Sequence, residues 1–332
     1  MKILVTGGLG FVGHALVQKL LSQGHEVHAL GRTLNPPSTK LVHGLQYHSH
    51  DLAKEPVQST WFEGTDTVFH VAAKAGVGGS YESYRQANLT ATENLLRAST
   101  EIGVTKFIYT STPSVAFSAE PIQGGNESLP YSKENFSPYA STKALAEQAV
   151  LSYHNTQGMR TIALRPHLIW GEGDPHLLPR VISRHRSGKL KIVGNGKNLV
   201  DLTHLDNVIH AHLCAFQSMS ADSLLGGKAY FIGQNEPVAL WQWLNEIFDQ
   251  LNLPPLKKSV SFETAFLLGQ VIEKIWSLFR LSSDPPMTRF VATQLAHDHW
   301  FSSLAAERDL GYQPLISMEE AMQKTLPWLK TL

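Results

Sequence analysis

The chain has 332 residues, 42% of them hydrophobic and 17% charged, which is enough apolar material for one large domain or two unequal ones. Its 28 lysines and arginines balance 28 aspartates and glutamates, so composition gives no support to a nucleic-acid or polyanion partner. Cys214 is the only cysteine, which excludes an internal disulfide and a thiol-rich metal site.

Met1-Lys2 leads straight into Ile3-Leu4-Val5, which reads as a first strand, Lys2–Thr6, rather than the apolar core of a cleavable leader. Thr6-Gly7-Gly8-Leu9-Gly10-Phe11-Val12-Gly13 follows it, and Phe11–Ser22 has helical periodicity with Leu16, Leu20 and Leu21 on one side. Gly7, Gly10 and Gly13 therefore punctuate a strand-to-helix turn. Glycine permits the tight turn and a close approach of backbone to a pyrophosphate. The helix start at Phe11 and Val12 offers N–H groups and a positive dipole end. Glu26–Leu30 is the second strand. NAD binders place an acid at its end to hold the ribose 2′-hydroxyl. Here the run is Ala29-Leu30-Gly31-Arg32-Thr33, without an acid. Arg32 can make bidentate bonds to a 2′-phosphate, which favours NADP. Asp51 and Leu52, after a third strand, are placed to flank the adenine; Asp51 would serve equally well as a helix cap.

Thr67–His70 is the next strand, with Ala72, Ala73 and Lys74 just past its end as further candidates to line the cofactor. A long helix is predicted through Asn88–Ser99. Lys106–Thr110 is a strand that runs into Ser111 and Thr112, and either hydroxyl can donate a hydrogen bond to an oxygen gaining negative charge. Tyr139–His154 is helical, its start marked by Ser137-Pro138. Tyr139 and Lys143 are four residues apart and share a helix face. A free tyrosine has a pKa near ~10, and an ammonium nearby favours its phenolate. Such a tyrosine can give or take a proton at a carbinol or carbonyl carbon. With a dinucleotide turn to supply hydride, the pattern reads as carbonyl–alcohol redox chemistry. Thr161–Leu164 is again a strand.

This alternation predicts an α/β fold, a Rossmann-type doubly wound parallel sheet with a smaller, interrupted C-terminal substrate lobe. Residues 1–165 form the NADP-binding domain. Residues 166–332 form mainly the substrate lobe, with some segments returning to the first domain. Ligands of such sheets sit beyond the carboxyl ends of the strands. Gly7–Gly13, Ala72-Ala73, Thr110–Thr112 and Arg165-Pro166 all fall there. In the second half, Val238–Leu251 and the apolar stretch Phe262–Leu281 stand out. The favoured reading of the latter is a core-facing or interface helix; the other is a greasy lid or membrane-surface helix for a long-chain substrate. His48/His50, His210/His212 and His297/His299 each lack a third ligand, so no metal is expected. Arg184, His185, Arg186, Lys189 and Lys191 read as a solvated basic turn.

The glycine turn, the hydroxyl strand end and the tyrosine–lysine helix, in that order, resemble the extended short-chain dehydrogenase/reductase superfamily. Tyr109-Thr110-Ser111-Thr112-Pro113-Ser114-Val115 and Leu164-Arg165-Pro166-His167-Leu168-Ile169-Trp170-Gly171 look like its 3β-hydroxysteroid dehydrogenase branch. His70 to Val77, Asp174 to Arg180 and Thr288-Arg289-Phe290 look closer still to the bacterial reductases of 2-alkyl-3-oxo acids that serve long-chain olefin biosynthesis. The resemblance runs from Met1 to about Pro314. It implies a hydroxyl role for Thr112, an acid/base role for Tyr139, and a ribose-binding, pKa-lowering role for Lys143. Pro166 would lie near the nicotinamide, and Asn88 would be mainly structural. Nucleotide-sugar dehydratases of the superfamily carry acids right after the hydroxyl; here Pro113-Ser114 stand there. The implied activity is NADPH-dependent reduction of a hydrophobic β-keto acid, by a homodimer as family members often are. No leader and no run of about 18 uncharged apolar residues is visible, so a cytoplasmic protein is expected, with Phe262–Leu281 the segment that could touch a membrane surface. The implied partners are a β-lactone synthetase and a β-lactone decarboxylase. A sterol or 3β-hydroxysteroid dehydrogenase is the nearest rival. An epimerase of nucleotide sugars, which retains NAD, is the rival of another class.

Overall fold

The computed structural model describes residues 1–332 except 58–60, 62, 134–136, 223, 280 and 282. Arg280, inside the apolar stretch Phe262–Leu281, therefore lies outside the described residues. The first half of the chain runs β1 (Lys2–Thr6), α1 (Phe11–Ser22), β2 (Glu26–Gly31), β3 (Leu45–Ser49), β4 (Thr65–His70), α2 (Tyr81–Tyr84), α3 (Ala91–Ile102), β5 (Lys106–Thr110), β6 (Ile122–Gly125), α4 (Pro138–Ser152) and β7 (Arg160–Pro166). The second half runs β8 (Ile169–Trp170), α5 (Leu178–Arg186), β9 (Ile192–Val193), β10 (Leu199–Val200), β11 (Thr203–His204), α6 (Leu205–Ala221), β12 (Lys228–Ile232), β13 (Val238–Ala239), α7 (Leu240–Gln250), β14 (Ser259–Val260), α8 (Phe262–Leu278), α9 (Arg289–Ala296), β15 (His299–Phe301), α10 (Leu304–Leu310) and α11 (Met318–Leu329).

Seven strands form one sheet in the order β12-β7-β5-β4-β1-β2-β3, and every pairing is parallel. Ile3, Leu4 and Val5 are fully buried, as a central strand covered on both faces requires. The strand order reverses between β1 and β4. That reversal opens a crevice at the carboxyl ends of the strands. One face of the sheet is covered by α1, whose Leu16, Val17 and Leu20 are buried, and by α6. Leu95 and Leu96 of α3 and Ala146 and Val150 of α4 cover the other.

β12 and α6 come from the second half of the chain yet belong to this layer. Conversely, β6 leaves the first half to pair with β15 in a second sheet of order β13-β10-β15-β6. Around that smaller sheet Trp170, Trp241, Trp243, Leu244 and Phe248 build a separate core.

The predicted helix Asn88–Ser99 differs from what forms. Its first residues lie in a π-helical turn, Arg85–Thr90, that joins α2 to α3. The widened turn carries Asn88 inward, where it is 1% exposed. The segment read as a core-facing or interface helix, Phe262–Leu281, forms α8 and packs by a narrow face. Only Ala265 and Gly269 of α8 are buried, while Leu267, Leu268, Val271, Ile275, Leu278 and the following Phe279 are exposed. The small residues decide this, because α8 meets α9 through them. Among the described residues no helix is long and apolar enough to cross a membrane.

Candidate active site

The glycine turn lies at the crevice. Gly7 has φ +69°, and a Cβ there would stand 3.0 Å from the backbone of Ala72. A Cβ on Gly13 would fall 2.2 Å from the Gly7 carbonyl oxygen, and one on Gly10 3.1 Å from it. No other residue fits at Gly13 without moving the turn. α1 begins at Phe11 with Gly10 as its cap, no side chain caps its first N–H groups, and no acid stands in its first turn. Phe11, Val12 and Gly13 thus present backbone donors and a positive dipole end, the fit a pyrophosphate needs. Arg32, just past β2, is exposed. Asp51 Oδ1 accepts from the Ala53 amide at 3.1 Å, so its carboxylate does serve as a turn cap. Leu52 is buried. Ala73 is exposed at the end of β4, and Pro166 is buried at the end of β7 opposite Ile232.

A buried hydrogen-bond chain fixes the crevice. The Ala72 amide donates to Thr6 Oγ1 at 3.1 Å. Thr6 Oγ1 and His70 Nδ1 are 2.6 Å apart, and His70 Nε2 is 2.8 Å from Thr92 Oγ1. Thr92 in turn donates to the Asn88 carbonyl. Because Thr92 spends its proton there, His70 must donate from Nε2 and accept from Thr6 at Nδ1. Burial, helped by the charge of Lys143, pushes His70 down to about 3, so the ring is neutral. Asn88 then ties three elements. Its Oδ1 accepts from the Lys74 amide at 2.7 Å, and its Nδ2 donates to the Lys74 carbonyl and to Thr142 Oγ1 on α4, each at 3.1 Å.

α4 carries the reactive pair. Ser137 caps it by accepting from the Ala140 amide, with Pro138 in its first turn. Tyr139 is half-buried and its phenol is hydrogen-bonded to Thr112, which stands just past β5. The adjacent hydroxyl, Ser111, is buried with no hydrogen-bond partner. The two hydroxyls that composition could not separate are thus separated by geometry. Thr112 also accepts from the Ser114 amide at 3.2 Å, capping the turn that leaves the strand.

Lys143 is 1% exposed. Its Nζ donates to the Thr110 carbonyl at 2.7 Å and stands 4.0 Å from the centre of the Tyr109 ring. Burial pushes the amine down to about 7, against the pull of Glu147 one turn further along. The expected lowering of the Tyr139 phenol by this amine is not what the structure shows. Burial raises the phenol, and the hydrogen bond from Thr112 is what opposes it.

Sequence reasoning missed the support behind this pair. Glu147 is fully buried and accepts from Arg165 Nε at 3.0 Å and from the Tyr131 hydroxyl at 2.8 Å. The signal was available: Glu147 continues the Tyr139–Lys143 spacing by four, and Arg165 immediately precedes Pro166. The histidine pairs go elsewhere. His48 faces His28, His50 faces Glu55, His212 faces Thr110, and His299 Nδ1 lies 2.6 Å from His167 Nε2. Among the described residues no group of three or more histidines, cysteines or acids is placed to hold a metal.

A seven-stranded parallel sheet with a glycine turn at its switch point, facing a tyrosine–lysine helix, defines an oxidoreductase that uses a nicotinamide dinucleotide on CH–OH groups. The chain belongs to the 3-beta hydroxysteroid dehydrogenase/isomerase family, whose model matches residues 4–263. It is 44% identical over 326 residues to a 2-alkyl-3-oxoalkanoate reductase of Stenotrophomonas maltophilia, covering 98% of each chain. It is 34% identical to the sterol-4-alpha-carboxylate 3-dehydrogenase, decarboxylating, of Mus musculus, covering 98% of this chain and 90% of that one. In fold it matches UDP-glucuronic acid 4-epimerase from Bacillus cereus, solved with NAD, with a TM-score of 0.78 at 23% identity over 100% of this chain and 99% of that one.

Proposed function

We propose that this chain is an NADPH-dependent reductase of long-chain 2-alkyl-3-oxoalkanoates, giving the 2-alkyl-3-hydroxyalkanoates of olefinic hydrocarbon biosynthesis. The observation that carries it is the Tyr139–Thr112 hydroxyl pair at the crevice, backed one turn later by buried Lys143. Two relatives support the substrate class. A 2-alkyl-3-oxoalkanoate is a ketone with a carboxylate one carbon away. A sterol 4-carboxylate oxidised at C3 has the same arrangement.

A dinucleotide held on the glycine turn at Gly7, Gly10 and Gly13 would supply hydride to the ketone carbon. Tyr139 gives its proton to the oxygen that becomes the alcohol. Thr112 donates a hydrogen bond to the same oxygen as charge develops on it. Lys143, one turn along α4 and held by the Thr110 carbonyl, would hold the cofactor ribose. Arg32 is exposed at the surface to meet a 2′-phosphate, which supports NADP over NAD. β-Keto acids lose carbon dioxide readily, so direct handover from a condensing enzyme, and onward to enzymes that form and decarboxylate a β-lactone, fits the chemistry.

Oxidation of NADPH and of NADH should be followed with long-chain 2-alkyl-3-oxo acids, 3-ketosteroids and nucleotide sugars. The expected result is turnover of the oxo acids with NADPH, and a selective rise of the NADPH KM in Arg32→Ala. Turnover confined to steroids, or tightly retained NAD in the purified protein, would reverse the proposal.

A further inference from the structure

Among the described residues no acid pairs with the half-buried charge of Lys74. Its Nζ donates to Ser83 Oγ at 2.6 Å and lies 4.5 Å from the centre of the Tyr84 ring. Among the described residues it makes no ion pair, and two of its three N–H donors remain to be satisfied. Tyr84 beside it is 1% exposed, and its hydroxyl is buried without a hydrogen-bond partner. A partly desolvated ammonium and an orphaned buried hydroxyl are both costly unless one acceptor serves them. Asp284 is the carboxylate whose charge reaches Tyr84, but Arg180 already engages it at 3.1 Å. The loop over the two groups is glycine where they come closest. Gly79 has φ +99°, and a Cβ there would stand 2.7 Å from Lys74 Nζ.

The place of these groups matters. α2 packs against α4, and Tyr84 is near enough to Tyr139 for their charges to interact. In a 3-oxo acid a single carbon separates the carboxylate from the reacting carbonyl. Whatever reads that carboxylate must therefore stand next to the catalytic phenol. Resting on the substrate class argued above, we propose that Lys74 Nζ and the Tyr84 hydroxyl form the subsite that holds the substrate carboxylate. Burial, then the charges of Asp284 and Tyr139, push the Tyr84 phenol up to about 12, so it stays a donor. The Ala72 backbone borders Gly7 of the glycine turn, whereas the Lys74 amine is turned toward Ser83 and Tyr84 of α2. The amine thus serves the substrate rather than the dinucleotide.

The test uses the stable product in the oxidative direction: a 2-alkyl-3-hydroxy acid and its methyl ester, with NADP⁺. A charge-assisted hydrogen bond lost from one side is worth about tenfold or more in affinity. Lys74→Met should raise the KM for the acid by about that factor, and leave the KM for the ester and the affinity for NADPH, read by fluorescence titration without substrate, within about twofold. Tyr84→Phe should shift the acid in the same direction by less, and Lys74→Arg should recover part of the loss. Equal losses on acid and ester, or weakened NADPH binding in Lys74→Met, would overturn the subsite while leaving the reductase reading intact. A wild-type enzyme that turns over neither compound would overturn that reading and the subsite together.

Discussion

Ser111 and Thr112 are chemically alike and adjacent, yet only one meets the phenol. Successive side chains of an extended chain point to opposite sides, so two neighbouring hydroxyls cannot both face the crevice. Thr112 faces Tyr139, and Ser111 is enclosed without a partner. Thr112→Ala should therefore lower turnover by about 10²-fold, the usual loss for one donor at a developing oxyanion. Ser111→Ala should leave it nearly unchanged, because removing an unsatisfied hydroxyl costs little. Tyr139→Phe should abolish measurable turnover while NADPH still binds in a fluorescence titration. Equal effects of the two alanine variants would break the assignment. At this scale the spacing of Tyr139 and Lys143 was legible, because helical period is written in sequence. The choice between the hydroxyls, and the upward shift of the phenol, were not. The first depends on how β5 is set against α4, and the second on the burial of Tyr139, and neither is written in local sequence.

Elements with one apolar face were read well, and those without one were not. β1 and α1 form over the predicted residues, because their apolar pattern matches a strand and then a helix period. α6 left little periodic signal. Asn207, Val208, Ile209, Ala211, His212 and Leu213 are all buried, so it is enclosed on most sides and carries polar residues within its core positions. α8 was legible as a helix, and the side carrying Phe262, Phe266 and Gly269 is the one that packs, while Leu267, Leu268, Val271, Ile275 and Leu278 stay exposed. The buried side is a stripe of small residues, and Gly269 is its closest approach. A Cβ at that position would meet the Thr288 carbonyl carbon at 2.6 Å and the Arg289 nitrogen at 2.7 Å. Neither atom can swing aside as a side chain does. Gly269→Ala should cost about 1–3 kcal/mol in a denaturant titration, despite alanine's better helix propensity. Leu278→Gln, on a residue 77% exposed, should stay within about 0.5 kcal/mol. If the alanine variant were as stable as the parent, α8 would not be seated on α9 as described.

Across the whole molecule, histidines rather than ion pairs set the response to acid. His70, His212 and His299 are buried in three different places: at the crevice, on α6 against β5, and on β15 in the smaller sheet. Burial pushes His70 down to about 3, and His212 and His299 to about 4, from an ordinary 6.5. The unfolded chain therefore binds more protons than the folded one between about pH 3 and 6.5. The sign follows: their contribution is fully present above pH 6.5 and is lost as pH falls toward the folded values. A tenfold difference in proton affinity between the two states is worth about 1.4 kcal/mol. Three such groups can thus remove much of a typical stability of about 5–15 kcal/mol. The urea midpoint should fall steeply from pH 7 to pH 4.5, well before the carboxylates are fully protonated. Replacing His212 with Gln, which can keep a donor near Thr110 without titrating, should flatten that slope even if it lowers the midpoint at pH 7. A midpoint unchanged across this range would mean that these rings gain protons without unfolding, contrary to their enclosure.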